Sequence, residues 1–376
     1  MIALITFLDY LIYLSLYLLG KRSFKRNCAL SKRNKFLIAF CLILFILFPF
    51  YGGDYFHYMA DYPLLQDDRL QLNEEQVYSF IAKNTPNYHF FRLVIWGGAL
   101  FLLFLLFRKL KLNVDLCFFI FSSVYITQFA YARVSLAMAI MFYGAAFLLV
   151  KSGITRGYNF ITGLAIVLIS IFFHKSSIIG IITLFLAYIL RNINKNTIIF
   201  VLAVFPVGLL IVNIVISNYL SISFDDVVGT IGKGQDYFTA DALEQGIGEI
   251  IQLTLWRLTV YLIALYYIRL IFKNKISIYP PHIKLFATST FLIVYIASFF
   301  LFDVGINTTI LFNRILNYSI IPGTVFLAYS KMHNIENNWI NKILTLGVIA
   351  ATYTLIYSTY LNYVNANKIF EILKMI

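Results

Sequence analysis

The chain has 376 residues, of which 61% are hydrophobic and only 12% charged, about half the charged share of an ordinary soluble domain. That balance excludes a water-soluble globule, and apolar runs of roughly 15 to 20 residues between short polar breaks make a bilayer the main solvent. The net charge of +13 does not point to nucleic acid, because that reading needs a basic face in water and orientation across a membrane explains the charge better.

The runs predict an all-α fold, since a helix satisfies its own backbone groups in lipid and the runs lack the alternation of a transmembrane barrel. About twelve spans are expected, over residues 2–19, 36–51, 91–107, 112–131, 134–150, 158–173, 176–190, 197–217, 250–268, 285–302, 314–329 and 343–361, in one polytopic domain covering 1–376. The first run has no basic n-region and no small-residue cleavage site before Lys21, so it reads as a retained helix rather than a signal peptide. Cys28, Cys41 and Cys117 show no metal spacing and no disulfide framework. No metal and no cofactor is expected.

Sidedness comes from the breaks. Lys21, Arg22, Lys25, Arg26, Lys32, Arg33 and Lys35 crowd the first break, which is taken as cytoplasmic. Alternation then places inside Arg108, Lys109 and Lys111; Lys151 and Arg156; Arg191 and Lys195; Arg269, Lys273, Lys275 and Lys284; and Lys331 and Lys342. Only Asp115 and Glu336 are acidic on that side, the opposite side is net acidic, and Asp9 alone falls within a span. So clean a separation predicts an even number of spans with both termini outside. The two long connections, about 52–90 and 218–249, then both lie outside, and neither carries a repeat or a cysteine pattern that would mark a soluble domain.

Along the outer side, the first loop opens Tyr51-Gly-Gly-Asp54-Tyr55-Phe-His57-Tyr58-Met-Ala-Asp61-Tyr62. Asp54 and Asp61 are seven apart, so on a helix they share a face two turns apart. Such a pair can act as a general base, hold a metal, or neutralise nearby arginines. Tyr55 and Tyr58 offer faces for sugar rings, although interfacial tyrosines also form a purely structural belt. Arg133 falls in the tight outer turn between the fourth and fifth runs, where Gly, Asn or Ser would be ordinary. His174 and Lys175 close the outer end of the sixth run, and Arg314 opens the eleventh, four residues before Tyr318. Cations at membrane depth are costly and often mark substrate paths, whereas a lone Arg can equally be a snorkelling interface residue. Convergence on one leaflet favours the first reading, and Arg in particular grips phosphate oxygens in pairs. The acidic second loop, with Asp225 and Asp226, shows no metal-binding spacing and reads as solvated.

Four segments together resemble the EpsG family of bacterial exopolysaccharide proteins, related to the Wzy-type polymerases of O-antigen and capsule. They are Gly53-Asp54-Tyr55 through Tyr58 to Asp61-Tyr62, Arg133-Val-Ser-Leu-Ala-Met-Ala, Phe173-His174-Lys175-Ser176-Ser177, and Arg314 to Tyr318. The resemblance covers most of the chain in order and spacing. It implies a polymerase that joins oligosaccharide repeat units carried on undecaprenyl diphosphate at the outer face of the cytoplasmic membrane. It also implies a multi-helix fold like that of the lipid-dependent C-type glycosyltransferases, with a flippase and a chain-length regulator as pathway partners. The long second loop lacks the paired Arg motifs of some O-antigen polymerases.

On that resemblance Arg133, Arg314 and Lys175 are expected to hold the departing diphosphate. His174, Asp54 or Asp61 would take the proton of the attacking hydroxyl, and Tyr55, Tyr58 and Tyr318 would meet sugar. Two other functions compete. A flippase or exporter of the same lipid-linked sugars would favour inverted repeats, which are missing here. A membrane acyltransferase using His174 would draw its donor from the cytoplasm, on the far side from that histidine.

Overall fold

The computed structural model describes residues 2–26, 30–51, 53–66, 76–130, 134–149, 156–174, 176–192, 194–204, 247–299 and 315–364. Among these residues the regular structure is entirely helical. In chain order the helices are α1 (Ile2–Arg26), α2 (Lys32–Leu47), α3 (Gly53–Gln66), α4 (Gln76–Lys83) and α5 (Tyr88–Lys109). There follow α6 (Val114–Val124), the single turn α7 (Ile126–Phe129), α8 (Ser135–Leu149), α9 (Arg156–Phe173), α10 (Ser177–Leu190) and α11 (Lys195–Val204). The last four are α12 (Ile247–Phe272), α13 (Pro281–Phe299), α14 (Ile320–Met332) and α15 (Asn337–Val364). Each apolar run read from the sequence carries helix over at least part of its length. Among the described residues three helices, Tyr88–Lys109, Ile251–Phe272 and Asn337–Leu361, are long and apolar enough to cross a membrane.

Local chemistry sets several boundaries. Ser31, Asn87 and Asn113 each turn a side-chain oxygen onto a first-turn amide, of Asn34, Phe90 and Leu116 respectively, satisfying donors that a helix start leaves open. Asn334 and Glu336 take left-handed backbone at φ 53 and 48 between α14 and α15. The Tyr266 hydroxyl secures this turn by donating to the Ile335 carbonyl at 2.9 Å.

Two helices form the centre. In α6 every residue from Leu116 to Val124 except Phe118 is buried, and α14 is buried from Ile320 through Ala328. A helix apolar on all sides has no face for water and is enclosed by others. Around α6 pack α1, α14 and α15, while α13 also covers α14. At the periphery α9 exposes Ile161, Leu164, Leu168 and Phe172, a face suited to lipid tails. Its opposite side meets α8 at Gly144 and Gly163. A Cβ on either glycine would sit 2.9 Å from the other's carbonyl oxygen, so these small residues let the backbones touch.

Charge pairing ties the basic end. Glu336, its side chain 9% exposed, accepts from Arg269 Nε at 2.6 Å, Lys273 Nζ at 2.9 Å and Lys275 Nζ at 3.1 Å. Asp115 accepts from the Leu30 amide at 2.9 Å and pairs with Lys35 at 3.2 Å. Burial works against ionisation of Glu336, but hydrogen bonds from the three cations prevail and hold its carboxyl down at about 2.

At the opposite end the first long connection carries two helices, α3 and α4, among its described residues. There α3 and α4 are clamped by Tyr62, whose hydroxyl meets the Thr85 carbonyl at 2.7 Å, and by Gln66, which donates to the Thr85 and Ala82 carbonyls. The second long connection, 218–249, lies outside the described residues up to Ile247.

Candidate functional site

At the end of the bundle that charge sorting assigns to the outside, α9 stops at Phe173 and the chain turns sharply into α10. His174 occupies that turn, half-buried. Its Nδ1 receives the backbone N–H of Ser176 at 3.2 Å and lies 2.6 Å from Ser176 Oγ. Ser176 Oγ is in turn 2.9 Å from the hydroxyl of Tyr318, 142 residues further along. Tyr318 is 1% exposed and sits just before α14, its ring lying over Gly180 of α10. A Cβ on Gly180 would come within 2.6 Å of that ring, so a glycine there is what lets the contact form.

These bonds fix the imidazole. Because the Ser176 N–H donates to Nδ1, that nitrogen is the acceptor and the proton of the neutral ring resides on Nε2. The hydroxyls order themselves accordingly, Tyr318 donating to Ser176 and Ser176 to His174. The other ring nitrogen, Nε2, therefore carries the proton and is a donor. Turning it into an acceptor through the relay would leave a phenolate on a buried tyrosine, which costs several kcal/mol on the order of an unpaired buried charge.

A second polar network lies at the same end and was not singled out by sequence reading. Arg92, in the first turn of α5, is 1% exposed. It donates through Nε to the Ile46 carbonyl at 2.8 Å, through Nη2 to the Ala130 carbonyl at 2.9 Å, and through Nη1 to the Tyr88 hydroxyl at 3.3 Å. Its guanidinium lies over the Trp96 ring at 4.1 Å, with Tyr55 at 5.6 Å. Trp96 belongs to a π-helical turn, Leu93–Gly97, directly after Arg92. Such turns are uncommon and frequent at functional sites. Asp9 of α1, fully buried, accepts the Tyr51 amide at 2.7 Å. The Tyr51 hydroxyl reaches the Thr127 carbonyl at 2.7 Å, and the Trp96 indole N–H reaches the Phe129 carbonyl at 3.1 Å. The helix formed by α6 and α7 changes course at Tyr125 and ends after Phe129, and side chains from α5 and the α2–α3 turn satisfy the carbonyls at that end. A lone acid within a span and an arginine one residue inside an apolar run were the available signals. Neither shows, in one dimension, that the two meet.

The residues expected from sequence fall as follows. His174 and Tyr318 are joined through Ser176. Asp54 and Asp61 both occupy α3, two turns apart as their spacing predicts for a helix. Tyr55 is 2% exposed and its hydroxyl is 3.0 Å from His89 Nε2, so this ring and that of Tyr318 are covered by protein, whereas Tyr58 is half-buried. Arg133, Lys175 and Arg314 lie outside the described residues, although Ala130, His174, Ser176 and Ile315 bring the described chain to within three residues of each. Among the described residues no cluster of His, Cys, Asp or Glu could hold a metal.

Comparison with protein families gives a match to the EpsG family model over residues 34–372, nearly the whole chain. The chain belongs to the EpsG family. That membership, with the apolar helices, makes it a membrane protein of exopolysaccharide-polymerase type. No curated protein and no solved structure matches it.

Proposed function

We propose that this EpsG-family chain joins oligosaccharide repeat units carried on undecaprenyl diphosphate, at the outer face of a bacterial cytoplasmic membrane. In this reaction a hydroxyl of the incoming lipid-linked unit forms a bond to the anomeric carbon of the growing chain. The bond from that carbon to diphosphate breaks, the lipid diphosphate leaves with the electron pair, and the hydroxyl proton passes to a base. The observation that carries the reading is the His174–Ser176–Tyr318 relay, which makes Nε2 the protonated ring nitrogen of His174 and ties that residue, next in sequence to Lys175, to Tyr318, four residues after Arg314. An imidazole N–H flanked in sequence by cations suits the developing charge on a departing diphosphate. His174 then acts as a donor to the leaving group with Arg133, Arg314 and Lys175, and the proton acceptor falls to Asp54 or Asp61 on α3.

The twelve-crossing topology, with both termini outside and the likeness to C-type glycosyltransferases, belongs to the same proposal. It is supported by the contacts between connections: Glu336 with Arg269, Asp115 with Lys35, and Asn113 with Met332 join segments assigned inside, whereas Arg92 with Ala130 and Ser176 with Tyr318 join segments assigned outside. A flippase and a chain-length regulator are the expected partners, with membrane lipid as the route of substrate entry.

The test is to incubate purified protein with defined undecaprenyl-diphosphate repeat units and resolve the products by size. A ladder made by wild type, and lost in Arg133→Ala and Arg314→Ala variants that remain folded and inserted, is the expected result. Ladders of wild-type length in both variants would overturn the assignment of those arginines. Movement of labelled lipid between leaflets with no lengthening would replace the polymerase with a flippase.

A further inference from the structure

Arg92 is an expensive residue to bury, and its bonding shows what it is used for. Its donors run to two backbone carbonyls from chain segments far apart in sequence, Ile46 at the end of α2 and Ala130 at the end of α7. A lysine could not reproduce this, because the planar fork reaches two acceptors in fixed directions while also stacking on Trp96. Asp9 adds a second tie to the first segment through the Tyr51 amide. The Tyr51 hydroxyl and the Trp96 indole bind the two segments to one another and to α5 through Thr127 and Phe129. Both segments are helix ends, α2 stopping at Leu47 and α7 at Phe129, where the last carbonyls have no intrahelical donor and these side chains supply one. One segment continues directly into Gly52, Gly53 and Asp54, the other into Tyr131, Ala132 and Arg133.

We infer that Arg92 and Asp9 are positioning residues, which fix the ends of α2 and α7, from which the sequence runs on to Asp54 and Arg133, without themselves touching substrate. The inference rests on the polymerase reading for its functional meaning and on the hydrogen-bond network alone for its structural one. Asp9 is needed in this role as an acceptor, not as a charge. Its Oδ2 takes the Tyr51 amide, and the Phe50 N–H also faces the carboxyl; both need an oxygen acceptor, which an asparagine Oδ1 can supply.

The experiment uses the full chain in lipid nanodiscs, comparing wild type with Arg92→Lys, Asp9→Asn and Asp9→Leu. Amide hydrogen exchange and, with undecaprenyl-diphosphate repeat units, kcat and KM are measured for each. Loss of one carbonyl tie in Arg92→Lys is expected to speed exchange about tenfold in 46–51 and 125–130 and to leave α12 to α15 unchanged. It is also expected to lower kcat, with the apparent KM altered less. Asp9→Asn should match wild type in both measurements, and Asp9→Leu should follow Arg92→Lys. Unchanged local exchange in Arg92→Lys overturns the inference. So does an Asp9→Asn protein that exchanges normally and has lost turnover, because Asp9 would then act through its charge. The exchange arm needs no activity, so a wild-type protein that made no polymer would refute the polymerase reading and still leave the positioning roles decided.

Discussion

At the basic end of the bundle one carboxylate, Glu336, gathers three cations from a single neighbouring segment, each 38 to 43% exposed. At the other end one guanidinium, Arg92, is buried, and its hydrogen-bond partners among the described residues are two backbone carbonyls and a tyrosine hydroxyl. The first site pairs charge with charge at a watery rim, where each contact is screened and worth little. The second satisfies carbonyls that helix ends leave open, and those carbonyls in turn solvate the cation. One arrangement closes a turn; the other satisfies helix ends inside an apolar bundle.

Removing Arg92 is therefore the most damaging change expected. Arg92→Leu leaves the Ile46 and Ala130 carbonyls without their donors, at about 1–3 kcal/mol each, and should lower the melting temperature in detergent more than any change at Glu336. Equal melting of Arg92→Leu and Glu336→Gln would erase the contrast between the two ends. Next in size is Gly163→Leu, which forces a side chain into the Gly144 carbonyl and, as an overpacked contact, should cost about 1–3 kcal/mol. Cysteine crosslinking between α8 and α9 would detect the separation of that pair.

Tyr318→Phe sharpens the comparison differently, because it removes one hydroxyl from the His174 relay and leaves the ring in place. A stability loss of about 1 kcal/mol is expected, with a larger fractional loss of polymerisation, since Ser176 is then free to reorient. Polymer yield falling only as far as the folded fraction would remove the relay from the chemistry.

The smallest effect belongs to Glu336 and carries a sign. Its carboxyl is held at about 2, below the ordinary value of 4.5, so its contribution is complete above pH 4.5 and fades as pH falls towards 2. Because its partners are partly exposed, Glu336→Gln should cost no more than about 1 kcal/mol. In Glu336→Gln the acid limb of the melting profile should flatten relative to wild type. An identical acid limb in both proteins would show that the three cations contribute nothing to it.

The helical class and the placing of the apolar runs were legible because each depends on composition over a window. Asp54 and Asp61 share a helix face only if their stretch is helical, a condition the sequence left open and α3 meets. His174 and Tyr318 were each visible as polar residues beside apolar runs, but Ser176, the atom between them, looks ordinary in sequence. Arg92 was harder still, since an arginine one residue inside a run resembles any snorkelling interface residue until its partners are known. Helices α3 and α4 were hidden for a related reason. Their stretch is mixed in character, and what holds it is tertiary: Tyr62 and Gln66 reaching the carbonyls at the end of α4.

By itself the sequence determined the solvent, the helical class with the placing of the apolar runs, and the expected sidedness of this protein. Those follow from transfer of side chains into lipid and from the distribution of Lys and Arg, both properties that accumulate along the chain. The tertiary structure alone decided that Asp9, Tyr51, Arg92 and Ala130 form one network and that His174 points its Nδ1 at Ser176. Hydrogen bonds act over about 3 Å, and only folding brings residues 38 to 142 positions apart to that distance.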